Sequence, residues 1–168
     1  IQVLAPHQRG SNQGYDVRIN QVPYYAKIYR DQPDKARAEY LAWLIYREVG
    51  VAVISDMQLI QIDGQWAVAT QWVDGAQTGV ATIDDHWLLA LEYVVSALIQ
   101  DRDRGKPDNY LVSKGVTLPI DFGGAFVFRS AVGQYKGEGE DEIGQLPFGI
   151  DNFIDMLRPS SNHNRKTF

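Results

Sequence analysis

The sequence contains no cysteine, which excludes disulfides, thiolate metal sites and cysteine nucleophiles. Its histidines, His7, His86 and His163, lie far apart in the chain and lack the close spacing of a metal site. No apolar run approaches the ~20 residues that a membrane-spanning helix needs, and the chain does not start with a signal-peptide pattern. A soluble protein without stable membrane insertion is therefore expected.

The chain also lacks the excess of positive charge that nucleic-acid binding requires. It has 16 Lys and Arg against 21 Asp and Glu, and the formal net charge is -5. We therefore expect no DNA or RNA partner. The 168 residues, 45% of them hydrophobic, are enough for one domain with a real core. The first residue is Ile1 rather than Met, so a processed product or a domain of a longer protein is expected.

The first half of the chain has the pattern of a β-sheet interrupted by one helix. Residues 15–20 and 24–29 are predicted to form a hairpin. Apolar residues then recur at helical spacing from Ala38 to Val49, and Gly50 ends the helix. Residues 51–62 and 65–73 are predicted to form two more strands, joined by a turn at Asp63 and Gly64.

The second half is predicted to contain a helix, a polar loop and a further hairpin. Thr82 and Asp85 have the spacing of a capping box before the apolar run 87–99. The loop 101–109 leads to short strands at 110–113 and 117–120. Residues 133–144 are too polar and glycine-rich to pack, and a last short helix is predicted at 151–157. The order of elements predicts an α+β fold with two lobes, about 1–73 and about 78–168.

Lys27 is a charged residue inside an apolar predicted strand, so it needs either a solvent-facing position or a buried partner. Glu39, on the following helix, can be that partner. A kinase uses such a pair to hold the lysine on the phosphates of its nucleotide. The alternative is a lysine on the solvent face of the strand.

A glycine-containing segment precedes that strand. It comprises Gly10, Ser11, Asn12, Gln13 and Gly14. Small residues let backbone amides approach phosphate oxygens, although such segments are more commonly plain surface turns.

Two further segments supply acidic and amide oxygen atoms. The first contains Asp101, Asp103 and Asn109, and the second is Ile120-Asp121-Phe122-Gly123. Magnesium bound to a triphosphate takes oxygen ligands from separate segments, which Asn109 and Asp121 can provide. An Asp before Asn109 would accept the proton of the attacking hydroxyl.

These motifs resemble the atypical kinases of the protein-kinase-like superfamily, in the phosphatidylinositol 3/4-kinase and HipA-like branch. The segments 103–109 and 120–126 are similar to the catalytic and metal segments of type II phosphatidylinositol 4-kinases. A likeness over nearly the whole chain is to small kinase-like domains of phage head-morphogenesis proteins and bacterial toxins or effectors. It is carried by the segments 10–14, 25–27, 36–39, 120–129 and 158–162.

The resemblance implies a minimal two-lobed protein-kinase-like fold with a reduced C-terminal lobe, and ATP and Mg²⁺ as cofactors. It implies that Lys27 contacts the phosphates and that Glu39 holds Lys27. Asn109 and Asp121 would bind magnesium, and Asp103 would be the catalytic base. The interval from Asp103 to Asn109 is one residue longer than usual, so Asp101 remains an alternative base. The adenine would lie near Gln71, Trp72 and Val73.

The expected function is an ATP- and magnesium-dependent phosphotransferase acting on a protein hydroxyl, in the cytoplasm or in a target cell if the protein is an effector or toxin. A lipid acceptor is second, because the chain has no basic membrane-contact surface. A nucleotide-binding pseudokinase and an AMP-transferring module are further alternatives. A glycosidase using Asp101 and Asp108 is the weakest.

Overall fold

The computed structural model describes residues 1–9, 12–30, 32–79, 86–101 and 107–126. Within these ranges the chain forms two antiparallel sheets, two α-helices and one 3₁₀ turn. The strands and helices are β1 (Gln2–Arg9), β2 (Asn12–Ile19), β3 (Val22–Ile28), α1 (Pro33–Glu48), β4 (Met57–Ile62), β5 (Gln65–Gln71), β6 (Gln77–Thr78), α2 (His86–Leu98), the 3₁₀ turn Pro107–Asn109, β7 (Tyr110–Ser113) and β8 (Val116–Pro119).

The larger sheet has five strands in the order β1-β2-β3-β5-β4. Two of its hairpins, β2–β3 and β4–β5, turn through residue pairs with positive φ, Asn20 and Gln21 (50° and 69°) and Asp63 and Gly64 (50° and 77°). Two successive positive φ angles are typical of type I′ turns, whose twist matches that of the flanking strands. The hairpins predicted on either side of these turns are confirmed.

The two faces of this sheet have different roles. On β3, Tyr24, Ala26 and Ile28 are buried and belong to an apolar cluster built from strands β2 to β5. Side chains alternate along a strand, so Tyr25 and Lys27 lie on the opposite face. Helix α1 contacts β4 and β5, and the core cluster beside it contains Trp43, Tyr46 and Val68.

Helix α1 starts with a proline in its first turn, where the missing N–H costs nothing. Its end agrees with the prediction, because Gly50 has a φ of 89°. The following segment differs from the prediction, since β4 begins only at Met57. Residues 51–56 are not a strand: Val51 and Ile54 are buried as irregular chain, and the Trp43 indole N–H donates to the Ile54 carbonyl at 2.9 Å. Packing against α1 here replaces strand pairing.

Strand β1 was not predicted from the sequence, and it contains Pro6, which has no backbone N–H to donate. The structure explains how the proline is tolerated. Among the described residues, β1 is at the edge of the sheet and pairs only with β2. An edge strand has one side without ladder hydrogen bonds, which is where proline fits.

The rest of the described chain consists of α2 and a small sheet in the order β6-β7-β8. The predicted hairpin turn at Lys114 and Gly115 is confirmed, with φ angles of 51° and 79°. This part joins the same core as α1, because Val95 on α2, Ile99 directly after α2, and Phe122 belong to the cluster that contains Tyr46.

The predicted mixture of helices with antiparallel sheet is confirmed, whereas the division into lobes at 1–73 and 78–168 stays a prediction. Helix α2 agrees with the predicted apolar helix at 87–99. The capping residues Thr82 and Asp85, the polar segment 133–144 and the helix 151–157 lie outside the described residues. Neither described helix combines the length and apolarity needed to cross a membrane.

Candidate active site

Lys27 is positioned by β3 on the face of the sheet that α1 also covers. Its strand neighbours in register are Gly14 on β2 and Val68 on β5. Its side chain is only 14% exposed. This low exposure shows that the alternative, a lysine on the solvent face of the strand, is wrong. A lysine with so little exposure needs negative charge nearby.

Two carboxylates provide that charge. The Lys27 Nζ lies 3.4 Å from Oε2 of Glu39, whose side chain is 3% exposed. The same ammonium donates a hydrogen bond of 2.5 Å to Oδ1 of Asp121. The predicted contact between Lys27 and Glu39 is therefore confirmed. The shorter contact with Asp121 was not predicted from the sequence.

The pKa values follow from this crowding of charge. Burial lowers the pKa of Lys27, but the charges of Glu39 and Asp121 outweigh it and leave that pKa above its ordinary value. Burial raises the pKa of Glu39 to about 7. The charge of Lys27 lowers this pKa, whereas the charges of Asp121 and Asp101 raise it further. One ammonium thus faces several carboxylates, an imbalance that an added cation would relieve.

Asp121 lies two residues after the end of β8 and has a strained backbone. Its φ is 55°, a left-handed conformation that is uncommon for residues other than glycine. Such strain persists where surrounding contacts hold it and is often found at functional sites. Here Phe122 supplies the anchor, because its ring is buried and lies 5.1 Å from the ring of Tyr46 on α1.

Gly123 permits the close approach of the groups around it. A Cβ at this position would lie 3.0 Å from the Tyr29 hydroxyl, 3.3 Å from Asp121 Oδ1 and 3.4 Å from Glu39 Oε2. Close packing around Gly123, the glycine of the Asp-Phe-Gly segment, therefore leaves little room for any larger residue at this position. Tyr29 was not predicted to belong to the site. The centre of its ring lies 5.4 Å from the Lys27 ammonium.

Asn109 lies beside the Asp121 segment. Its carbonyl accepts a 2.8 Å hydrogen bond from the N–H of Ile120, which holds the two predicted ligand segments together. Asn109 is 8% exposed, whereas the Asp121 side chain is 45% exposed. Asp121 is thus the more accessible of the two oxygen donors.

The donor types of this pair fit magnesium. Magnesium commonly takes one or two protein oxygens and completes its shell with water and substrate phosphates. The described residues contain no group of three or more His, Cys, Asp or Glu that could hold a metal by themselves. Asp121 and Asn109 could therefore hold Mg²⁺ only as part of a shell completed by a ligand.

The two candidate bases differ in what the structure describes. Asp101 is fully buried at the end of the α2 segment, and its N–H donates to the Ser96 carbonyl at 2.8 Å. A carboxylate with no exposure is poorly placed to meet an acceptor hydroxyl. Asp103 lies outside the described residues, so its catalytic role stays a prediction.

The predicted phosphate loop is described only in part. Gly10 and Ser11 lie outside the described residues, while Asn12 and Gly14 belong to β2. A Cβ on Gly14 would overlap the ring of Tyr25, which crosses the glycine from β3. Packing against Tyr25 is therefore sufficient to require glycine here, whatever else this residue contacts.

The predicted adenine-contacting residues lie where β5 ends. Gln71 is the last residue of β5, and its side chain accepts a 2.6 Å hydrogen bond from Ser55. The N–H of Trp72 donates to the Pro23 carbonyl at 3.0 Å, and Trp72 is 37% exposed. Trp72 is therefore exposed at the protein surface, whereas the side-chain oxygen of Gln71 already accepts a hydrogen bond. Val73 follows outside the strand, and its contact with adenine stays a prediction.

Comparisons with known proteins give little additional information. No protein-family profile and no curated protein matches the sequence. Among solved structures, the chain is similar to an aminoglycoside phosphotransferase from Alicyclobacillus acidocaldarius, with 14% identity and a TM-score of 0.32. The match covers 59% of this chain and 31% of that one, so the chain spans about a third of its neighbour's length. At that TM-score the match supports no conclusion about fold or function.

Proposed function

We propose that the chain is an ATP- and magnesium-dependent phosphotransferase with a protein-kinase-like fold. The supporting observation is that Lys27 contacts both Glu39 and Asp121. In protein kinases a lysine on the third strand pairs with a glutamate on the following helix, and the Asp of an Asp-Phe-Gly segment binds magnesium. Here Lys27 is on β3, Glu39 is on α1, and Asp121 begins that segment.

Each residue has a proposed task. Lys27 binds the nucleotide phosphates and Glu39 keeps its ammonium in place, while Asp121 and Asn109 hold the metal. The metal, when bound, neutralises charge on the phosphates. Asp103 accepts the proton of the acceptor hydroxyl, and Trp72 contacts the base.

A protein hydroxyl is the proposed acceptor. Support for a protein rather than a lipid comes from the net charge of -5, which does not favour anionic membrane surfaces. Cytoplasmic or delivered action in a target cell is part of the same proposal.

The test uses ATP labelled separately at the α and γ positions, with Mg²⁺ and a cell lysate. Transfer of γ label to protein, absent in Asp121→Asn, is the expected result. Transfer of the γ label to the lipid extract would show that the acceptor is a lipid and not a protein. Label from the α position would indicate AMP transfer, and nucleotide binding without transfer would indicate a pseudokinase. Absence of both binding and transfer would refute the proposal.

A further inference from the structure

Lys27 is shared unequally between its two carboxylate partners. Its ammonium lies 2.5 Å from Asp121 Oδ1 and 3.4 Å from Glu39 Oε2. Glu39 Oε2 is buried, and its separation of 3.4 Å from the Lys27 ammonium is longer than that of a well-formed hydrogen bond. The lysine therefore pairs more closely with the proposed metal ligand than with the glutamate proposed to hold it.

This contact places two cations in competition for one carboxylate. A divalent ion that binds Asp121 must displace or repel the Lys27 ammonium, because like charges at such distances destabilise each other strongly when partly buried. The displaced ammonium needs another counter-charge. Glu39 is the acceptor that remains within reach, and its Oε2 can take the hydrogen bond that Asp121 loses.

We propose that Lys27 is an exchangeable counter-ion, which occupies Asp121 when no metal is bound and moves to Glu39 and the nucleotide phosphates when metal binds. This inference rests on the proposed function. It predicts that the chain binds metal weakly without nucleotide, since the lysine competes for Asp121. Nucleotide phosphates attract the lysine away and thereby strengthen metal binding, and linkage makes that strengthening reciprocal.

The inference predicts opposite effects for the two partners of the ion pair. Lys27→Met removes the ammonium that competes with the metal for Asp121. The metal should therefore bind more tightly in the absence of nucleotide, where the loss of the phosphate contact has no effect. Glu39→Gln removes the negative charge of the alternative acceptor, so metal should bind more weakly. A lysine whose only task is phosphate binding would leave nucleotide-free metal affinity unchanged.

The experiment is a calorimetric titration of Mn²⁺, as a probe for Mg²⁺, into the wild-type chain and its variants without nucleotide. Lys27→Met should tighten the Kd by about tenfold or more, the scale of an adjacent opposite charge on a carboxylate. Glu39→Gln should weaken it by about threefold or more. Adding Asp121→Asn to Lys27→Met should abolish the gain.

Lys35→Met is the matched control, because Lys35 is a buried lysine whose ammonium also lies over the Tyr29 ring, at 5.7 Å. It removes the same charge, and a change below about threefold is expected. An equal gain in Lys35→Met, or no gain in Lys27→Met, would overturn the inference.

Binding of Mn²⁺ with ATP by the wild-type chain is measured in parallel. If this binding is intact while Lys27→Met shows no gain, the counter-ion inference fails and the proposed function stands. If no form binds Mn²⁺ or ATP, both fail. Circular dichroism of each variant verifies the fold, and Lys27→Gln is a second variant should Lys27→Met be unstable.

Discussion

The sheet region, β1 to β5 with α1, and the α2 region, residues 86–126, are organised differently. The sheet region has buried residues on both faces of β4 and β5. The α2 region leaves Val94 53% and Leu98 78% exposed and contributes its buried residues to the core beside α1. The first region thus has an apolar cluster of its own, while the core of the second is completed by the first.

The candidate site draws on both regions. Lys27 and Glu39 come from the sheet region, and Asp101, Asn109 and Asp121 come from the α2 region. The junction between them is packed by Phe122 and connected by the Lys27–Asp121 ion pair. Charged groups of the site therefore depend on this junction for their relative positions.

The largest expected effect is on the rate of phosphoryl transfer, when Asp121 at the junction of the two regions is changed. Asp121→Asn should lower phosphoryl transfer by at least about 10³-fold, about 4 kcal/mol, because it removes the charged metal ligand. The fold should survive, since the amide keeps the shape of the side chain. Single-turnover rates with labelled ATP measure the first effect and thermal unfolding the second. A rate within threefold of wild type would contradict the assignment.

Breaking the apolar contact should weaken the whole chain. Phe122→Ala should lower the free energy of unfolding by about 3 kcal/mol, as expected for a buried aromatic ring replaced by a cavity. Urea unfolding followed by tryptophan fluorescence measures this effect.

Ile60→Ala, in the cluster on the opposite face of the sheet, is the matched control. Both variants should keep the wild-type m-value if the two regions unfold together. A reduced m-value in Phe122→Ala alone would mean that the α2 region unfolds separately.

Substitutions of Asp101 and Asp103, the two aspartates after α2, should affect different properties of the protein. Asp103→Asn should lower the maximal rate by about 10²-fold with little change in stability, the scale of general-base removal. Asp101→Asn should lower stability by about 1 kcal/mol and the rate only modestly, since Asp101 is fully buried. Steady-state kinetics and thermal unfolding separate the two effects. Exchanged outcomes would transfer the catalytic role to Asp101.

The smallest expected effect concerns the packing of Gly123. Gly123→Ala should cost about 1 kcal/mol of stability, because its methyl group would press on the Tyr29 hydroxyl. In a Tyr29→Phe background, which lacks that oxygen, the cost should fall by about half. A double-mutant cycle by chemical denaturation measures this coupling. Equal costs in both backgrounds would show that the hydroxyl is not the limiting contact.

Local chemistry explains most of what could be predicted from the sequence. The turns at Asp63-Gly64 and Lys114-Gly115 depend on a few adjacent residues, so their hairpins were predicted correctly. The pairing of Lys27 with Glu39 was predictable because a strand and the helix that follows it pack together. Residues 51–56 were wrongly assigned to a strand because an apolar segment can also be buried as irregular chain against a helix.

Long-range contacts were beyond such reasoning. Asp121 is 94 positions from Lys27, and nothing in either local pattern indicates their hydrogen bond. Tyr29 likewise has no sequence signal that distinguishes it from an ordinary core aromatic. Its proximity to Gly123 depends on how the α2 region meets the sheet.

The sequence by itself determined the β2–β3, β4–β5 and β7–β8 hairpins, both described α-helices and the set of residue types suited to phosphoryl transfer, because these depend on local turn chemistry, side-chain periodicity and functional groups. Only the tertiary structure decided that Lys27 hydrogen-bonds Asp121 more closely than Glu39 and that Asp101 is buried. Burial and charge partners of this kind are set by the packing of segments distant in the chain. The same packing determines which carboxylate the lysine neutralises.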